Sequence, residues 1–298
     1  MTKQNLAVTI EPFDYSVESY EQIVTIFNLC EPLYRESPEI WQRRDKLRNP
    51  DHVCERYVVR RSANGELIAS GVVAHGDWGH DPRQFFIGGT VHPDHQGMGV
   101  GSAMYEHAMQ ILKPFRPTSV NASTYSDQLN GIRLLENRGY ELTTREYNSA
   151  IDLAEFEPEK WADVVHRVET SGIVIKDFAE LHRDGPDFMR KYYDLFCEIG
   201  PDVPYHGTFV ADPFDVWLKQ FADDPTRIEG GYQIALDGDE FVGMTELFGN
   251  PPADETLYNG LTAVKRTHRR RGIATALKVR SLDYAKANYR QPDGSYPR

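Results

Sequence analysis

Apolar positions along this chain switch repeatedly between a period of two and a period near 3.6. Val8 and Ile10 alternate with polar neighbours, and Ile23, Ile26, Phe27 and Cys30 then recur at helical spacing. Residues 56–61 and 67–75 read as strands, and the Ala63-Asn64-Gly65 run between them predicts a tight hairpin turn. Residues 85–91 give one more strand. Val100, Met104, Ala108 and Ile111 predict a helix after it.

The same series recurs further along. Ile173-Val174-Ile175 precedes a helical stretch with Phe188, Tyr192, Leu195 and Phe196. Strands at 232–236 and 241–248 flank Asp237-Gly238-Asp239, and 257–264 leads into a last helix. Each series also holds a Pro-led segment with a tryptophan, Pro38 to Trp41 and Pro213 to Trp217. Matching features lie 165 residues apart at Phe13 and Phe178, and 173 apart at Gly99 and Gly272. So small a drift indicates one α/β (α+β) unit used twice. The predicted division is 1–155 for the first unit, 156–171 for a linker and 172–298 for the second. After its long helix the first unit has room for a strand, a helix and two more strands. The second has only 289–298, a Pro/Gly-rich tail. The second unit is therefore expected to lack its C-terminal strands. The sheet edge left open favours association, with a homodimer as one form.

Composition adds limits. With 298 residues, 40% apolar and 26% charged, the chain can bury two cores. No apolar run reaches the ~18–20 residues that span a bilayer, and no charged lead before a long apolar stretch marks a secretory signal. Cys30, Cys54 and Cys197 are odd in number and widely spaced, which suits a reducing compartment. A cytoplasmic protein without a membrane partner is expected. The net charge of −12 argues against a nucleic-acid partner. Yet residues 262–298 hold ten Lys/Arg and two Asp/Glu. This basic island reads either as a solvated face or as a site for a polyanion.

The turn after Val91 carries the candidate chemistry. Gly97, Gly99 and Gly101 lie where a strand gives way to a helix, so backbone amides can face outward and a ligand can approach closely. A helix N-terminus adds unpaired N–H groups and partial positive charge, which suits a pyrophosphate. The corresponding turn in the second unit keeps Gly272 and Ala274 and adds Arg269, Arg270 and Arg271. No Gly-Lys-Ser/Thr follows, so this is not a P-loop, and the spacing is not that of a dinucleotide fingerprint. No Gly-x-Ser-x-Gly or Ser-His-Asp spacing supports a hydrolase. His92 and His95 have no third ligand cluster, so no metal is expected. The run from His75 to Pro82 reads as a loop that could line an acceptor site.

On these residues the chain resembles the GNAT superfamily of acyl-CoA-dependent N-acyltransferases in tandem form. The resemblance rests on Val91-His92-Pro93 with Gln96–Gly101, on Val264 with Arg269–Ala274, and on residues 131–140, which look like the family's penultimate helix ending in Gly139-Tyr140. It implies a mixed, mostly antiparallel sheet with flanking helices and splayed central strands holding acetyl-CoA. It implies that Gln96, Gly97, Met98, Gly99, Val100, Gly101 and Ser102 hold the pyrophosphate and that Val91 pairs with the pantetheine arm. In the second unit the same roles would fall on Val264 and on Arg269, Arg270, Arg271, Gly272, Ile273, Ala274 and Thr275. The implied activity is acetyl transfer to a primary amine of a small molecule. The alternative is a non-catalytic acyl-CoA-binding or interaction protein of the same fold. Three departures bear on catalysis. Leu135 stands where the family often has a general-acid tyrosine, residues 85–90 hold no carboxylate, and Gln128 stands for a frequent asparagine. Tyr125, Asp127 and Glu136, with His92, are the candidate substitutes. Each also has a plain reading: a packed strand end, a helix cap, an exposed helix face and a solvated turn.

Overall fold

The computed structural model describes residues 6–31, 34–76, 81–183, 187–204, 209–249 and 256–289. The chain divides into two compact units, 1–146 with 205–210, and 147–204 with 211–298.

In the first unit, β1 (Val8–Pro12) leads into α1 (Val17–Cys30), whose N-cap Ser16 accepts from the Ser19 amide. Next come α2 (Pro38–Leu47), β2 (Cys54–Arg61), β3 (Leu67–Ala74) and β4 (Gln84–Val91). They are followed by α3 (Val100–Leu112), β5 (Ser119–Asn121) and α4 (Leu129–Glu136). The five strands lie in sequence order, with antiparallel pairs from β1 to β4 and a parallel β4–β5 pair. Strand alternation sorts the core by face. Tyr57 and Val59 pack with Val100, Met104, Ala108 and Leu112 of α3, while Val58 between them packs with Tyr20, Ile23 and Val24 of α1. The β4–β5 ladder joins only Gln84, Phe86 and the residue between them to Ser119–Asn121. From Ile87 onward β4 pairs with β3 alone, so the two central strands part.

In the second unit, α5 (Ala162–Thr170) precedes β6 (Ile173–Asp177), α6 (Phe178–Arg183), α7 (Phe188–Ile199) and α8 (Phe214–Phe221). β7 (Gln233–Asp237), β8 (Glu240–Gly249), β9 (Leu257–Val264) and α9 (Ile273–Asn288) complete it. The four strands form an antiparallel sheet in sequence order, with β9 as an edge strand among the described residues. Ala235 and Val242 face Ile273, Ala276 and Leu277 of α9. Ile234, Leu236 and Met244 face an aromatic core built on Phe188, Tyr192 and Trp217.

Three expectations differ from the structure. The stretch 156–171 is not an open linker: α5 lies within it and buries Val168 against α9 residues, and Val164 and Val168 both border Gly272. Leu153 likewise enters the second core, which draws the boundary back to 146. The two strands expected after α4 do not form in 141–150, which carry neither helix nor strand. The cause is visible in the residues, since Leu142 and Tyr147 lie five apart rather than alternating and are 71% and 86% exposed. The tail 290–298 and the loop residues 77–80 lie outside the described residues.

Candidate functional site

The first unit's turn is built on two left-handed glycines. Gly97 has φ 70° and Gly99, the N-cap of α3, has φ 84°. A Cβ at either position would strain the backbone. A short 3₁₀ turn, Pro93–His95, fills the space between β4 and these glycines. Gln96 donates from Nε2 to the Val91 carbonyl at 3.1 Å, and Leu6 donates to the Met98 carbonyl at 3.0 Å, so the loop is held from both sides. The first helical amide to find an acceptor is that of Ala103, which donates to the Gly99 carbonyl at 3.1 Å. The amides of Gly97 through Ser102 donate to nothing among the described residues. No carboxylate stands in the first turn of α3 to compensate them. Six free N–H groups beside a helix N-terminus form a cradle for an anion.

The second turn keeps this backbone with other side chains. Arg270 takes φ 62° where the first unit has Gly97, and Gly272 takes φ 83° where it has Gly99. Ala276 is the first amide bonded, to Gly272 at 3.0 Å, and those of Arg270 through Thr275 find no acceptor among the described residues. The surrounding charges differ, however. Asp202 receives Arg266 Nε at 2.9 Å and also pairs with Arg269, and these two arginines hold its carboxyl below the usual range. Lys265 lies 2.7 Å from Glu198 and 2.8 Å from Glu240, Arg271 lies 3.8 Å from Asp237, and Arg280 pairs with Glu169. Much of the basic island is thus matched by acids of its own unit.

The candidate catalytic residues separate. His92 is the N-cap of the 3₁₀ turn, and its Nδ1 accepts from the Asp94 amide at 3.3 Å. Glu136 is an exposed residue at the end of α4. Asp127 is not the cap of α4. That position is held by Gln128, which makes no side-chain capping bond. Tyr125 belongs to a cluster with a residue that sequence reasoning missed, Glu31. Gln128 Nε2 donates to Glu31 Oε1 at 3.1 Å, Thr124 Oγ1 donates to Gln128 Oε1 at 3.3 Å, and the Tyr125 hydroxyl lies close enough for its titration to be coupled to that of Glu31. Tyr34 stacks on Tyr125 with centroids 6.4 Å apart and rings 21° from parallel. Partial burial raises the Glu31 carboxyl above its usual range, Gln128 and Tyr125 pull against that, and Asp127 adds to it. Burial and then the Glu31 charge push the Tyr125 hydroxyl up to about 12. Cys30, next to Glu31, directs Sγ at the Val91 carbonyl at 3.3 Å. The cluster therefore bridges the end of β4 and the segment that leaves β5. Among the described residues no group of His, Cys, Asp and Glu could hold a metal ion.

The sequence profile of the acetyltransferase (GNAT) family matches residues 20–140 and 189–291. No curated protein matches the chain. Among solved structures it is similar to a GCN5-related N-acetyltransferase from Sphaerobacter thermophilus, at 18% identity and TM-score 0.59, over 93% of this chain and 82% of that one. It is also similar to a tandem GNAT protein from the clavulanic acid biosynthesis pathway, at 15% identity and TM-score 0.63, over 94% and 86%. A third is the GCN5-related glucosamine N-acetyltransferase region of a fungal multi-domain GH3 β-N-acetylglucosaminidase, at 11% identity and TM-score 0.61, over 94% and 34%. At these identities the likeness is one of fold.

Proposed function

Since the chain belongs to the acetyltransferase (GNAT) family, we propose that it moves an acetyl group from acetyl-CoA to the primary amine of a small molecule, with acetyl-CoA held by the first unit. The observation that carries this reading is the set of six free amides from Gly97 to Ser102, set where β4 and β5 part. The residues fit the group. An anion at the start of α3 meets N–H donors and a helix dipole, with no carboxylate in that turn. A Cβ at Gly101 would meet only Leu134, at 3.5 Å, so the cradle is open on that side. Past Phe86, the β4 edge that faces away from β3 is free of ladder bonds, which suits pairing with an extended amide-bearing arm.

When bound, acetyl-CoA supplies an activated thioester that an amine can attack directly. The protein's part is to hold both reactants close, to offer N–H groups where negative charge develops, and to receive a proton. The second reading, acyl-CoA binding without turnover, is favoured by Leu135 and by the lack of a carboxylate in residues 85–90. Thiol release from acetyl-CoA in the presence of primary amines separates the two. Amine-dependent release is expected, and binding of acetyl-CoA without any release would favour the second reading.

A further inference from the structure

Glu31 stands at the C-cap of α1, between Cys30 on the Val91 carbonyl and Gln128 at the start of α4. Its carboxylate accepts from the neutral amide of Gln128. Its titratable neighbours are Tyr34, Tyr125, Asp127 and Cys30, and no cation offsets it among the described residues. Gln128 Nε2 donates to Glu31, and its Oε1, the atom that could cap the amides of α4, accepts from Thr124 Oγ1 instead, so the side chain is held on the carboxylate. Tyr34 and Tyr125 stack on each other, and burial and then the Glu31 charge raise both hydroxyls. Among the described residues of the first unit, no other combines a held carboxylate, neighbouring aromatic rings and a link to the end of β4.

We propose that Glu31 is a catalytic residue that binds the acceptor's ammonium group and takes its proton, with Tyr34 and Tyr125 beside it. The acceptor is then a small cationic primary amine with no carboxylate next to its nitrogen. This rests on the reading of the first unit as the acetyl-CoA site. Glu31 accepts one proton from the ammonium and passes it to solvent. The freed lone pair forms the C–N bond as the C–S bond breaks, and the surplus proton on nitrogen goes to the departing sulfur. One ammonium and one thioester give one amide, one thiol and one proton. Aromatic faces favour a cation, and a carboxylate beside the amine would meet Glu31 and Asp127 at close range, which disfavours it. The raised Glu31 carboxyl brings the base closer to neutral pH, where proton transfer is most effective.

The test uses the full chain, its Glu31→Gln and Glu31→Asp variants, and 1,4-diaminobutane and glycine as amine probes. Calorimetry with acetyl-CoA comes first. No binding by the wild type overturns the underlying reading rather than the role of Glu31. With binding established, 1,4-diaminobutane is expected to react at least about tenfold better than glycine in kcat/KM. Glu31→Gln should lower kcat about 10²-fold with acetyl-CoA affinity unchanged, and Glu31→Asp should restore part of it. A readout independent of turnover is carboxyl NMR of 13C-labelled glutamates. One signal that titrates above the usual range should vanish in Glu31→Gln, leaving that of Glu246 on β8, whose carboxyl accepts from the Leu261 amide and is pushed up to about 7 by burial. Failure to acetylate 1,4-diaminobutane, a preference for glycine, or turnover by Glu31→Gln within twofold of wild type would each overturn the proposal.

Discussion

In the first unit the turn from β4 into α3 rests on Gly97 and Gly99, at φ 70° and 84°; in the second, the turn from β9 into α9 places Arg270 and Gly272 at 62° and 83°. The backbone is the same within a few degrees, and so is the row of amides without acceptors. What differs is the setting. The first turn stands where two parallel strands part, near Glu31 and its tyrosines. The second stands beside an edge strand, with Arg266 and Arg269 drawn onto Asp202. The same backbone cradle thus occurs in two different surroundings. Amide geometry is fixed by local φ and by the helix that follows, whereas a working site also needs a second strand and a held carboxylate.

The largest contrast lies in the two Pro-led tryptophans. Trp217 is buried among Tyr192, Tyr193 and Phe221, with the Phe221 ring 4.5 Å away and nearly parallel. Trp41 is only partly buried, edge-on to Phe27 and under Arg56. Trp217→Ala should cost about 3–5 kcal/mol and Trp41→Ala about 1–2 kcal/mol. Urea denaturation followed by domain-specific probes would show this. Equal costs would mean that the second core is not the denser one.

A partly buried carboxyl separates the units next. Glu246 of β8 accepts from the Leu261 amide at 2.9 Å and the Tyr192 hydroxyl at 3.3 Å, where the β8–β9 register shifts. Burial pushes its carboxyl up to about 7 from 4.5. The folded state then keeps a proton that the unfolded chain releases near 4.5, so this contribution to stability is fully present below 4.5 and is lost as pH rises through about 7. The loss is on the order of 3 kcal/mol. Melting curves of the second unit's transition in the full chain between pH 4 and 8 should slope downward. Glu246→Gln should flatten that slope, and an unchanged slope would remove Glu246 as its source.

Arg270 gives the smallest effect. A side chain at positive φ costs about 1 kcal/mol, so Arg270→Gly should raise stability by about that much. Gly97→Ala, its counterpart, should lower stability by a similar amount. Both are readable as shifts of a few degrees in melting temperature. A destabilising Arg270→Gly would show that the guanidinium contributes more than the backbone strain removes.

The sequence disclosed what is local. Hairpin turns, strand alternation and the two glycine turns depend on neighbours within a few residues, and the repeat made each stronger. Helix α5 was hidden because Val164, Val165 and Val168 are too few to stand out beside the Glu/Pro run that precedes them. Chain length leaves room for strands after α4, but length says nothing about whether apolar residues alternate. Glu31 was illegible for a different reason. Its partner Gln128 is 97 residues away, and nothing in the residues around Glu31 marks it. Only the folding of α1 against the end of β4 brings the two together.

On the reading proposed above, the first unit binds acetyl-CoA and the second does not. Calorimetric titration of the full chain with acetyl-CoA, alongside Gly101→Glu and Ala274→Glu, tests it most directly. Neither position has a positive φ, so both variants should keep their fold, which circular dichroism can confirm. One site per chain is expected, lost in Gly101→Glu and kept in Ala274→Glu. Binding that survives Gly101→Glu, or disappears in Ala274→Glu alone, would contradict it.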